Sequence, residues 1–159
     1  MEQLTQVDPE QAIEALIQAF GDDPVAAHNY RCEMVARAIK AIGDSTKHGE
    51  CWVYPNTDDE GYGITSVLGK KVTASRLVQC CATGKPLDYH NEEGKFMEAG
   101  HKTPLCRFRA CLNPEHLHWV TKRENAERRE LERRARAEAA RLVAEGFAPA
   151  EAATGHHYV

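Results

Sequence analysis

Cys106, Cys111 and His116 follow one another at intervals of five residues in this 159-residue chain. Two thiolates and an imidazole are three of the four ligands of a closed tetrahedral zinc site, with the gap between the cysteines at the wide end of the usual spacing. Cys51, just before the aromatic segment Trp52-Val53-Tyr54, is the candidate fourth ligand, reaching back across the core. Asn113-Pro114 marks a turn that lets Cys111 and His116 converge on one ion. Cysteines are also common as small buried hydrophobes, and a C-x4-C pair alone does not separate the two readings. The four residues together favour zinc, whose binding would add folding free energy to a loop-rich centre.

His101 and Asn125 flank this cluster. A neutral imidazole can take a proton near pH 7, as a general base must. An asparagine oxygen can bind a hard cation, and one carbonyl ligand completed by phosphate oxygens and water serves a single-metal phosphodiesterase. Taken singly, each has a plainer reading, as a surface histidine and a first-turn helix asparagine.

The segments GECW at 49–52, SRL at 75–77, His101, and CRFRACLNPEHLHWVTKREN at 106–125 resemble the HNH, or ββα-metal, endonucleases. The likeness is to their zinc-containing branch, which includes His-Cys box homing endonucleases and small phage nucleases. The resemblance spans residues 49–125, and the run C-x4-C-x-N-P-x-H-L followed by V-T-x-x-E-N is its specific part. It implies an α+β fold with a ββα-metal core, a small antiparallel sheet and structural zinc at Cys51, Cys106, Cys111 and His116. It also implies His101 as general base, Asn125 as ligand of a catalytic Mg2+ or Mn2+, and Arg76 beside the scissile phosphate. The implied activity is hydrolysis of double-stranded DNA, one nick per active site, so that a double-strand break would need a homodimer. Two departures stand out. Gly100 occupies the position before the base, where the family usually has aspartate. His101 lies five residues before Cys106 rather than two, which leaves three residues for a turn around Thr103-Pro104 to absorb. His90, with Asp88 upstream, and His118 are competing bases. A catalytically inactive zinc-stabilised DNA- or protein-binding module of the same fold is the alternative function.

Charge supports a nucleic-acid partner once it is divided along the chain. The net −4 resolves into −8 over residues 1–60 (4 Lys/Arg, 12 Asp/Glu) and +5 over 101–144 (11 Lys/Arg, 6 Asp/Glu). Basic charge therefore gathers around and after the proposed site, as a phosphate-binding face requires. Six cysteines without a signal-peptide pattern or long apolar span fit metal-bound and packed thiols in the cytoplasm, with no membrane role. A thiol enzyme is disfavoured, because no C-x2-C pair is present and Cys80-Cys81 has no evident activating base.

These residues need scaffolding, and the sequence divides into an N-terminal helical segment (1–48), the zinc-bound core (49–125), a charged helix (126–146) and a tail (147–159). Asp8-Pro9-Glu10 reads as the start of a first helix with apolar positions from Ala12 to Phe20. Gly21–Pro24 starts a second, with an apolar face of Tyr30, Met34, Val35, Ala38, Ile39 and Ile42 and a stop at Gly43. This pair is too acidic for a DNA-reading helix-turn-helix and is expected to pack as scaffold. Strands are predicted at 51–54, 62–68 and 71–73, joined into one small sheet through a Gly69-Lys70 turn. A short helix over 74–81 would turn Leu77, Val78 and Cys81 inward and leave Arg76 free to face a groove. Thr121 and Glu124 form a capping box for a helix running to about residue 145. Glu/Arg pairs such as Glu130–Arg134 suit an exposed helix, and Arg128, Arg129, Arg133 and Arg136 are candidate phosphate contacts. The tail histidines, His156 and His157, receive no catalytic role.

Overall fold

The computed structural model describes residues 8, 10, 23–102 and 106–146. The first predicted helix therefore lies outside the described residues, apart from its opening, where the Asp8 carboxylate accepts from the Glu10 backbone N–H at 2.9 Å. Thr103-Pro104 and the tail lie outside them as well.

Helix α1 spans Pro24–Asp44. Asp23 caps it, its carboxylate accepting from the N–H groups of Val25 and Ala26, and Pro24 supplies a first-turn φ at no hydrogen-bonding cost. Ala27, Met34, Ala38 and Ala41 form its buried stripe, flanked by Tyr30, Val35 and Ile42. Ile39, expected on that face, is instead exposed, one step of the helical wheel outside the alanine-rich seam. Gly43 does not stop the helix, which continues to Asp44. Ser45 ends it, with its N–H on Ile42 O and its hydroxyl on Ala41 O.

The expected single sheet is three separate two-stranded antiparallel ribbons. Strand β1 (Thr46–His48) pairs with β2 (Cys51–Val53), and β3 (Ile64–Val67) pairs with β4 (Lys70–Thr73). Strand β5 (Met97–His101) pairs with β6 (Leu117–Thr121). The second ribbon turns at Leu68-Gly69, one residue earlier than predicted. Both residues there have positive φ (48° and 78°), the two-residue turn whose twist matches its strands.

Helix α2 (Ala74–Thr83) is the centre of the main core, burying Leu77, Val78, Cys80 and Cys81 against the α1 seam, Val67, Leu112 and Leu117. Gly84, in the left-handed region at φ 70°, ends it. It packs on β5 and β6, so the third ribbon is held from one side. Strand β6 runs directly into α3 (Lys122–Ala144), capped at the predicted Thr121, whose hydroxyl accepts from the Glu124 N–H and donates to the Glu124 carboxylate. Two antiparallel strands followed by a helix, with the cluster-bearing loop between the strands, give a ββα arrangement.

Candidate metal centre

Cys51, Cys106, Cys111 and His116 come together, all four buried, with their ligand atoms within 4.8 Å of one another. His116 Nδ1 lies 3.5 Å from Cys51 Sγ and 3.7 Å from Cys111 Sγ. Tetrahedral zinc with the usual bond lengths places a sulfur and a nitrogen ligand roughly 3.6 Å apart. The cluster thus has the composition and size of a closed structural zinc site, with Nδ1 as the imidazole ligand atom. Beyond the ring, the Glu50 carboxylate stands 3.9 Å from Nε2, where an orienting partner of a ligating histidine is expected.

Backbone contacts bring the four residues from three places. Leu112 N–H bonds to Trp52 O and Tyr54 N–H to Ala110 O, tying the cysteine loop to β2. Asn113 is the clip: its amide donates to Glu50 O at 2.7 Å, and its oxygen accepts from Glu115 N–H at 3.0 Å. That second bond caps the short 3-10 turn Pro114–His116 and aims His116 back at the cysteines. The thiols have no disulfide. The hydrogen bond between Cys106 and Cys111 holds the Cys111 thiol below its ordinary range. The same bond, with burial, pushes Cys106 up, and burial does so for Cys51. Protons crowded among buried sulfurs are readily displaced by a dication.

His101 ends β5, paired with Leu117, and is almost fully buried. Its Nε2 lies 3.1 Å from the Cys111 carbonyl oxygen. A carbonyl only accepts, so Nε2 carries the proton and Nδ1 keeps the lone pair. Burial pushes the imidazole down to about 4, with Arg128 adding repulsion, so the ring is neutral at pH 7. Asn125 sits in the first turn of α3. Its amide nitrogen donates to Glu98 Oε2 at 2.7 Å and its oxygen accepts from Arg128 Nη2 at 2.9 Å, an orientation fixed by an acceptor on one side and a donor on the other. Tyr62, Arg76, Glu98, Asn125 and Arg129 line a cleft of about 300 Å³. His101 lines a small cavity that shares Tyr62 and Arg129 with this cleft.

Arg76 is not free to swing. Its Nε donates to Leu87 O at 2.6 Å and Nη1 donates to Met97 O, while the guanidinium lies over the Phe96 and Trp119 rings, 4.3 and 5.3 Å from their centroids. Nη2 has no hydrogen-bond partner among the described residues. His90 is exposed and packs edge-on against Phe96. His118 faces Gly100 across the ribbon, its buried Nε2 without a hydrogen-bond partner among the described residues. The acidic loop 58–60 forms a turn on Asp58, whose carboxylate accepts from the N–H groups of Glu60 and Tyr62.

Sequence reasoning missed Glu98 as the partner of Asn125, the Phe96–Arg76–Trp119 stack, and the 46–48 strand. Glu98 sits two residues before Gly100 in a stretch where no strand was predicted, and that period-two spacing was the one available signal. No described helix is long and apolar enough to cross a membrane. Comparison with protein-family models, curated proteins and solved structures finds no match to this chain.

Proposed function

We propose that this protein is a metal-dependent DNA endonuclease of the HNH, ββα-metal type. The observation that carries the reading is the placement of His101 at the end of β5 and Asn125 in the first turn of α3, on a ribbon and helix in which the loop between the strands supplies Cys106, Cys111 and His116 of the Cys3His cluster. In this reading zinc at Cys51, Cys106, Cys111 and His116 is structural. It ties the loop to β2 so that His101 and α3 keep a fixed relation.

His101 is the general base. The Cys111 carbonyl holds its tautomer, and Nδ1 takes the proton of the attacking water. A catalytic Mg2+ or Mn2+, when bound, supplies charge neutralisation at the phosphoryl group and the leaving 3′ oxygen. Asn125 would hold it through its amide oxygen, which accepts from Arg128. Arg76, held rigidly at the cleft wall, contributes positive charge near a non-bridging phosphate oxygen. Arg128 and Arg129 extend the basic surface along α3, and double-stranded DNA is the substrate. One such site makes one nick, and cutting both strands needs a homodimer.

Nicking of supercoiled plasmid with Mg2+ by the zinc-loaded protein tests the reading, with His101→Ala and His90→Ala as comparators. Loss in H101A alone, at unchanged zinc content, is expected. Gly100, in place of the family aspartate, favours the second reading, a silent zinc-stabilised DNA- or protein-binding module. Absence of nicking by the unaltered protein across divalent ions and DNA substrates would establish that module instead.

A further inference from the structure

The Asn125 site has no carboxylate where the family usually supplies one, and the reason is steric. A Cβ built on Gly100 would lie 2.8 Å from Val120 Cγ2 and 3.2 Å from His118 Nε2. The first of these is closer than real Cβ atoms come. An aspartate at 100 would force the Val120 and His118 side chains on the paired strand to shift.

Two residues earlier, on the same side of the strand, Glu98 places Oε2 2.7 Å from the Asn125 amide nitrogen. It lines the cleft with Asn125, Arg76 and Arg129. We propose that Glu98 is the carboxylate ligand of the catalytic divalent cation in this chain, acting with Asn125 in place of the aspartate that Gly100 cannot carry. This rests on the endonuclease reading for the word catalytic; the cation site itself stands on the geometry.

Neighbouring oxygen ligands of octahedral Mg2+ or Mn2+, at metal–oxygen distances of about 2.1 Å, are roughly 3 Å apart. The Glu98 and Asn125 polar atoms already have nearly that spacing. The pair satisfies itself: the amide NH2 faces the carboxylate, and its oxygen accepts from Arg128. A half-turn of the amide about its terminal torsion exchanges the two ends. It then presents oxygen beside Glu98, an arrangement that a bound cation between the two oxygens stabilises, and withdraws the acceptor from Arg128. Arg128 keeps its bond to Glu132 at 2.5 Å. Arg76 and Arg129 line the same cleft, so a phosphate bound there would meet positive charge beside the cation.

The test is Mn2+ binding to the zinc-loaded protein without DNA, read from the free-ion electron paramagnetic resonance signal. One site is expected in the unaltered chain. At least a tenfold loss of affinity is expected in Glu98→Gln and Asn125→Ala, with partial recovery in Glu98→Asp and zinc content unchanged. Equal Mn2+ affinity in unaltered protein and E98Q overturns the assignment, as does failure of the unaltered protein to bind Mn2+. A measurement on the unaltered chain covers the case that E98Q does not fold. Mn2+ should broaden the Asn125 side-chain amide and Glu98 backbone resonances first, and broadening centred elsewhere overturns the proposal. Plasmid nicking keeps the two ideas apart. Nicking with an unaffected E98Q affinity removes Glu98 and keeps the nuclease. Mn2+ binding that depends on Glu98, without any nicking, keeps the cation site and removes the nuclease.

Discussion

Cys51 Sγ and His116 Nδ1, sixty-five positions apart in the chain, lie 3.5 Å from each other. That contact joins β2 to the turn leading into β6, and few apolar side chains surround it: Val53 and Phe108 are the partly buried neighbours of the cysteine trio. A cluster this small cannot hold two chain segments by burial alone. Zinc binding to comparable sites is worth about 10 kcal/mol or more, of the same order as the whole stability of a domain. One zinc per chain is therefore expected by elemental analysis. Cys51→Ser or a strong chelator should remove it and lower the midpoint of thermal unfolding sharply. A chelated, zinc-free protein that unfolds at the original temperature would contradict the structural role.

His101→Ala should reduce plasmid nicking by roughly 10²- to 10⁴-fold, the usual contribution of a positioned base. Zinc content should not change, because His101 touches the cluster only through the Cys111 carbonyl. His90→Ala removes an exposed ring stacked on Phe96 and should leave the rate within about twofold. A reversed pattern would move the chemistry to the His90 side of the Phe96–Arg76 stack.

Arg76 has a structural role beside any contact with DNA. It joins the α2 flank, the Leu87 carbonyl and β5 through two hydrogen bonds and two aromatic faces. Arg76→Ala should destabilise the fold by about 2–3 kcal/mol in urea unfolding, since it orphans two carbonyls and removes a stacked cation. Arg76→Lys should recover little, because one ammonium cannot reproduce the planar fork. A fully stable Arg76→Ala with reduced nicking would assign the residue to substrate alone.

Gly100→Asp restores the family's residue and should nevertheless weaken the protein, by about 1–3 kcal/mol, as overpacking does. The added Cβ meets Val120 and His118 before its carboxylate reaches any ion. Thermal unfolding checks the loss of stability. A stabilised G100D with faster nicking would show that the ribbon opens there at little cost.

What the sequence made legible was local. The zinc quartet was readable because ligand types are rare and three of the four sit within eleven residues. The Thr121 cap and the Asp23-Pro24 start were readable because capping chemistry is contained in one turn. Strand β1 was invisible because Thr46-Lys47-His48 is exposed on every residue and shows no apolar alternation. The positive φ of Leu68 had no residue-type signal, since glycine or asparagine would be expected there. Arg76 was placed on the right helix but read as free, because the Leu87 and Met97 carbonyls that hold it come from segments whose approach only the tertiary fold determines. Glu98 and Asn125, twenty-seven residues apart, belong to the same class of long-range pairing.

The main core should weaken in alkali because of two adjacent thiols on α2. Burial is the largest cause pushing Cys80 up to about 12 and Cys81 up to about 11, from an ordinary value of 9.0. Arg31, whose guanidinium donates to Cys81 O at 3.2 Å, offsets only part of this. The folded chain thus keeps both protons at pH values where the unfolded chain releases them. Their stabilising contribution is complete below about pH 9 and is lost as pH rises through 11 to 12. Each pH unit inside that window costs up to ~1.4 kcal/mol per thiol. Urea midpoints measured from pH 8 to 10.5 should fall, and a Cys80→Ala/Cys81→Ala variant should show a shallower decline, even from a lower starting stability. Cys32, exposed on α1, should react with iodoacetamide in the native state while Cys80 and Cys81 do not. An equal alkaline decline in the double variant would mean that other groups set it.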